Sequence, residues 1–160
     1  MKTALTLVAS MAALGGCATS TVPQAINPSA GEKLAFVAPA KGVQVYECRA
    51  GQWAFVAPDA QLFDAAGKVI GRHYAGPHWE AADGSKVVAA VKAKADAPSP
   101  ADIPWLLLGA KSVGGEGAFS KVTSIQRLAT VGGIAPSRPC ETGAQARVGY
   151  TADYYFFTAR

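Results

Sequence analysis

Apolar and polar side chains alternate most regularly between Ser85 and Asp96, where Val87, Ala89, Val91, Ala93 and Ala95 interleave with Lys86, Val88, Ala90, Lys92 and Lys94. A period of two puts the first set on one face of an extended chain, which predicts a half-buried strand. Similar runs occur at Val43 to Cys48, Gln52 to Ala57, Val122 to Val131 and Arg147 to Thr158. Trp105 to Ala110 is continuously apolar over the length of a buried strand. Between the runs stand Pro58-Asp59, Ala66-Gly67, Gly76-Pro77, Asp83-Gly84, Gly114-Gly115 and Gly132-Gly133, all turn-forming pairs. This spacing predicts an all-β fold, an antiparallel sandwich or barrel-like single domain with short turns and little helix. Ser99 to Asp102 resembles a helix start, but Pro104 ends it after about one turn.

The first residues follow a different pattern. Lys2 precedes a mostly apolar run from Thr3 to Leu14, and Gly15-Gly16-Cys17 follows. The run is shorter than the roughly 20 apolar residues that a spanning helix needs, so residues 1–16 read as a lipoprotein signal peptide. Cleavage before Cys17 would make it the first residue of the mature chain and its site of lipidation; the alternative is an ordinary secretory leader with a chance cysteine. Ala18 at the next position resembles the outer-membrane sorting pattern. The expected location is therefore the bacterial cell envelope, with the lipid on Cys17 in the outer membrane and the protein facing the periplasm. Residues 17–31, rich in small, polar and proline side chains without a period, read as a lipid-anchored flexible tether. Residues 32–160 form the expected β-rich domain.

Removal of the leader leaves Cys48 and Cys140 in an oxidising compartment, where a disulfide between them is expected. Two buried free thiols or metal ligands are the alternative. The composition is half hydrophobic and only 16% charged, which suits a compact body. Loss of Lys2 with the leader lowers the formal charge from +4 to +3, and the basic residues are scattered. Nucleic-acid binding would need a clustered basic face, so it is not expected.

Chemistry-bearing motifs are scarce. GxSxG, SxxK and HExxH are missing from the sequence. Gly115-Glu116-Gly117-Ala118-Phe119-Ser120 comes within one residue of GxGxxG, but a strand-like run follows where the dinucleotide fingerprint needs a helix. One stretch concentrates reactive side chains: HYAGPHWEAADGS, residues 73 to 85, holds both histidines. His73, His78 and Glu80 are of types that ligate zinc or copper, yet their spacing is permissive, and a turn explains Gly76, Pro77, Asp83 and Gly84 without a metal. No metal and no cofactor are expected. If residues 78–82 form a strand, His78 and Glu80 share one face and Trp79 points to the other; in the reading without a metal, His73 is a hydrogen-bonded histidine next to the core and Trp79 is core. Arg127, mid-strand with Ile125 and Val131 on its face, is a charge that must be paired or exposed. Asp153, set among the aromatics of Tyr150 to Phe157, is its candidate partner, and those aromatics fill a core or line an apolar cavity. The candidate binding residues are accordingly His73, Trp79, Glu80, Asp83 and Arg127.

GVQVYECR at 42–49, GRHYAGPHWEAADGSKV at 71–87, IPWLLLGAKS at 103–112, TSIQRLATVGGIAPSRPC at 123–140 and the later YTADYYFF resemble the family of domain of unknown function 3455, found in secreted bacterial and fungal proteins. The resemblance runs from about Leu34 to the end. It implies that His73 belongs to the family pattern and that threonine is commoner at the position of His78. It brings no activity: some fungal members carry a malate dehydrogenase label, which does not fit a chain lacking a dinucleotide fingerprint and βαβ alternation. The expected role is a ligand- or partner-binding or structural module, with the loops at 73–85 and 113–118 as contact surface. The alternative is an enzyme with a His73-centred, metal-dependent or general-base site oriented by Glu80 or Asp83.

Overall fold

The computed structural model describes residues 21–160, so the leader and Cys17 lie outside the described residues. Eight strands follow one another: β1 (Glu32–Arg49), β2 (Gln52–Phe63), β3 (Val69–Tyr74), β4 (His78–Ala81), β5 (Lys86–Ala95), β6 (Trp105–Gly114), β7 (Val122–Gly132) and β8 (Gln145–Ala159). Each pairs antiparallel with the next, and β8 returns to pair with β1, closing a single sheet into a barrel. The expected all-β architecture is present as the barrel. Closure leaves the sheet without an edge strand, although β1 before Ala40 is paired on its β8 side alone.

An eight-stranded barrel has an interior just wide enough for its own side chains or one small ligand. Here Ala38, Ala40, Ala60 and Ala152 face inward opposite Trp79, Tyr154 and Phe156, so small residues make room for large ones. One end, which we call the lower end, is closed by the loop between β6 and β7. Phe119 from that loop stacks on Phe156 at 4.8 Å and on Phe36 at 5.7 Å. The outer wall carries Arg72, Glu80 and Lys86 in one ionic cluster and an Arg147–Asp59 pair. A charged wall around an apolar interior is the reverse of a membrane-spanning barrel.

Three differences from the sequence expectations have local causes. First, β5 does not keep one face throughout: its register with β6 slips between Val91 and Ala93. One extra residue turns the following side chains to the opposite side. Val87 and Ala89 are therefore interior, whereas Ala93 and Ala95 pack on the outside. Second, β7 shifts between Leu128 and Val131, where Ala129 takes a φ of +49°. Arg127 shares its face with Ile125 but not with Val131, which lies opposite Thr151 on the outer wall. The same ladder corrects the Arg127–Asp153 pair: Arg127 is opposite Tyr154 and points inward, and Asp153 is opposite Leu128 and points outward. Third, the segment read as tether is docked along part of its length. Gln24–Ile26 form one turn of 3-10 helix, and Ile26 is wholly buried against Trp105 and Leu128. Gln126 Nε2 donates to the Ile26 carbonyl at 2.7 Å. This outer strap explains why Trp105 to Ala110 is apolar without interruption: β6 is covered on both faces.

Cys48 and Cys140 form the expected disulfide, their Cα atoms 5.8 Å apart. It ties the long loop between β7 and β8 to the upper end of β1. There Tyr46 donates its hydroxyl proton to the Gly133 carbonyl at 2.6 Å, drawing that loop over part of the barrel's upper end.

Candidate functional site

The polar residues of HYAGPHWEAADGS are distributed to three places by the β3–β4 hairpin. Register sets His73 directly opposite Trp79, and on the other side opposite Ala60, whose small side chain leaves the imidazole room. The His73 and Trp79 rings stack 3.9 Å apart, and Tyr154 meets the pair edge-on at 5.2 and 5.5 Å. His73 Nδ1 lies 2.8 Å from the backbone oxygen of His78. A carbonyl only accepts, so Nδ1 carries the proton and Nε2 is the bare, accepting nitrogen. Burial disfavours the imidazolium and pushes the His73 pKa down to about 3.

Glu80 points the other way. On the outer wall its carboxylate accepts from the Tyr74 hydroxyl at 2.6 Å and from Arg72 at 3.1 Å, with Lys86 Nζ 3.2 Å away. The Tyr74 hydrogen bond leads the contacts that hold its pKa down to about 2. Asp83 sits at the lower end, where it accepts from the backbone and hydroxyl of Ser85 and from the backbone N–H of Ala118. These contacts, the Ser85 hydroxyl first, lower its pKa. The Asp83 carboxylate also fills the space a Cβ at Gly117 would need, so the two loops read as a contact surface are fastened to each other here. His78 Nδ1 accompanies the Ala75 carbonyl at 2.7 Å, and its ring stacks on Tyr74. The potential metal triad is thus dispersed, and among the described residues no three His, Cys, Asp or Glu side chains are grouped as a metal site.

Of the five candidates, His73, Trp79 and Arg127 come together around one cavity of about 110 Å³ in the upper half of the barrel. Its lining also holds the buried Pro58, Leu108 and Tyr154, and the exposed Phe55, Pro77 and Val91 mark its opening. The bulge that skips Val56 in the β1–β2 ladder keeps Phe55 opposite Tyr46, on the inner side. Arg127 directs Nε and Nη2 to the Pro104 carbonyl at 3.2 and 2.8 Å, and no carboxylate lines the cavity. Gln44, which the sequence reading passed over, is also part of the lining. It is 3% exposed, and its Nε2 has no hydrogen-bond partner; neither has the indole Nε1 of Trp79. The signal for Gln44 was a polar residue within a strand of alternating character. Period two alone does not decide whether Val43 and Val45 or Gln44 and Tyr46 face the core.

Fold and site define a class: a small closed antiparallel barrel with a largely apolar cavity in one half, lined also by His73, Arg127 and Gln44. The family model described as "Protein of unknown function (DUF3455)" matches residues 28–158, and the chain belongs to that family. No curated protein and no solved structure matches it.

Proposed function

We propose that this chain is a ligand-binding module of the bacterial envelope, held by lipid on Cys17, whose barrel takes up a small, largely apolar molecule bearing a carboxylate or a carbonyl. The observation that carries this reading is that two of the buried side-chain donors without a partner, Gln44 Nε2 and Trp79 Nε1, belong to residues that line one apolar cavity. A buried donor left without an acceptor costs about 1–3 kcal/mol. Such a cost persists where a ligand supplies the acceptor. Arg127 adds a positive charge with no acidic residue in the lining to oppose it, which favours an anionic ligand head. A cavity of about 150 Å³ holds benzene, so a volume of about 110 Å³ suits a short aliphatic chain or a ring whose head protrudes toward Arg127. A histidine with a pKa of about 3 is a weak base near neutral pH, and His73 fits the role of a neutral hydrogen-bonding wall better than that of a catalyst.

Titration of the protein with butyrate and with benzoate, followed by calorimetry and by the indole NMR signal of Trp79, tests this reading. Saturable binding that is lost in Gln44→Leu, with the stability of that variant level or raised, is the expected result. If neither probe binds and Gln44→Leu loses more than about 2 kcal/mol, Gln44 is a structural residue and the reading fails.

A further inference from the structure

The strap fixes where the chain leaves the barrel. Val22 lies beside Pro98, Ser99, Asp102 and Val131. Those residues belong to the loop between β5 and β6 and to the last turn of β7, both at the upper end, where the cavity opens. Val22 is only the fifth residue after Cys17, so a lipid on Cys17 is within about 18 Å of this end at full extension. The opposite end is out of reach. β1 is 18 residues long, which at about 3.3 Å per residue and a strand tilt of about 40° separates the two ends by roughly 45 Å.

The upper end also carries a set of large apolar side chains left in solvent. Phe55 and Val91 beside the cavity opening are 53% and 58% exposed, and Val131 and Ile134 on the neighbouring rim are 61% and 41% exposed. The lower end exposes fewer, Leu34, Val69 and Val113 at 50%, 44% and 48%, so the short reach from Val22 selects the end, and exposed apolar groups on the end it selects mark a surface that is covered by something. We infer that the upper end of the barrel rests on the membrane that anchors the chain, with Phe55, Val91, Val131 and Ile134 in the interfacial layer and the cavity opening onto lipid. Each apolar side chain that enters the interface lowers the free energy of this orientation, and the short tether holds the rim there. The ligand would then enter from the membrane and not from the periplasmic fluid. This inference rests on the lipid-anchor reading of Cys17.

The test uses the full chain, purified with its lipid and reconstituted in vesicles of phosphatidylethanolamine and phosphatidylglycerol. A benzophenone amino acid is placed, one position at a time, at Phe55 and Val131 on the upper rim and at Leu34 and Val113 near the lower end. Cross-linking to acyl chains is expected to be several-fold greater at the upper positions. Equal adducts at Val113 and Val131 would mean that the barrel lies on its side, and would overturn the inference. Adducts from Phe55 to a second copy of the chain instead of lipid would do the same. Mass spectrometry of the N-terminal peptide separates the two levels of failure. A Cys17 without acyl groups removes the anchor reading and this inference together, whereas an acylated, vesicle-bound chain with no upper-end lipid adducts removes this inference alone.

Discussion

His73 shows how one side chain can be conspicuous in sequence and still need its neighbours to be understood. Stacked on Trp79 and donating to the His78 carbonyl, it is held neutral by burial, with a pKa lowered to about 3 from the ordinary 6.5. Between those values the unfolded chain binds a proton that the folded one does not, so stability is full above pH 6.5 and declines as the pH falls toward 3. The slope is about 1.4 kcal/mol per pH unit at its steepest. Asp153, raised by burial, works in the opposite direction below its own folded pKa, and Glu80, lowered from 4.5 to about 2, keeps its stabilisation above the ordinary 4.5 and loses it as the pH falls from there toward 2. Urea unfolding between pH 7 and pH 5 is therefore expected to show the His73 slope, and His73→Gln, which keeps a donor for the His78 carbonyl, to flatten it. A wild-type profile that is already flat would mean that the imidazole titrates freely. At the lower end Ser85 is fully buried, donates to Asp83 and accepts from the Phe119 backbone. Ser85→Ala should cost about 1–3 kcal/mol by leaving the Phe119 N–H unpaired, read as a lower urea midpoint with an unchanged m-value.

Strands and the segments that cover them explain most of what the residue pattern left ambiguous. Alternation located β5, β7 and β8 well, because period two is a property of extended backbone wherever it occurs. It could not say where an added residue reverses the faces, at Ala93 of β5 and after Ala129 of β7, since a bulge is chosen by the pairing partner. The first half of β1 was illegible because its inward residues include Ala38 and Ala40 and because Pro39 argues against a strand. Pairing with β2 begins only at Ala40, so Pro39 stands where one edge is free and its missing N–H is tolerated. The strap was hidden by a composition typical of linkers; Ile26 alone marks it. Ile26→Ala is expected to destabilise by about 2–4 kcal/mol, as for other buried aliphatic truncations. The accompanying exposure of Trp105 should appear as a red shift in its fluorescence. An unshifted spectrum and an unchanged urea midpoint would show that the strap contributes nothing.

The whole molecule depends on contacts between distant parts of the chain. β1 and β8 close the barrel, and the disulfide joins Cys48 to Cys140 across a separation of 92 residues. In the chain-entropy account a loop of this length is worth roughly 4–5 kcal/mol, with measured values often lower. Reduction should therefore lower the unfolding free energy by a few kcal/mol at most about that figure, followed by urea titration with and without reductant. Because the bridge holds the loop whose Gly133 carbonyl meets Tyr46 over the upper end, reduction should also weaken binding of whichever carboxylate probe proves to bind. Equal affinity in the reduced and oxidised forms would show that the loop takes no part in forming the cavity.

The sequence by itself pointed to the period-two strands, to most of the turns between them and to the unusual status of His73, Trp79 and Arg127, because each depends on local backbone chemistry or on residue type; the expected turn at Pro58-Asp59 is corrected, since β2 runs through both residues in ladder with Gln44 and Val43, and the disulfide expected between Cys48 and Cys140 needed the fold to bring them together. Only the tertiary structure decided that the sheet closes, which inward residues face one another, and that Glu80 and Asp83 leave the site while Gln44 joins it. The reason is physical: a strand has two equivalent faces, and a sequence read alone cannot tell which will be inside until ladders between distant segments fix register and curvature. A cavity exists only where eight strands fail to fill the space they enclose, and no single stretch of the chain encodes that shortfall.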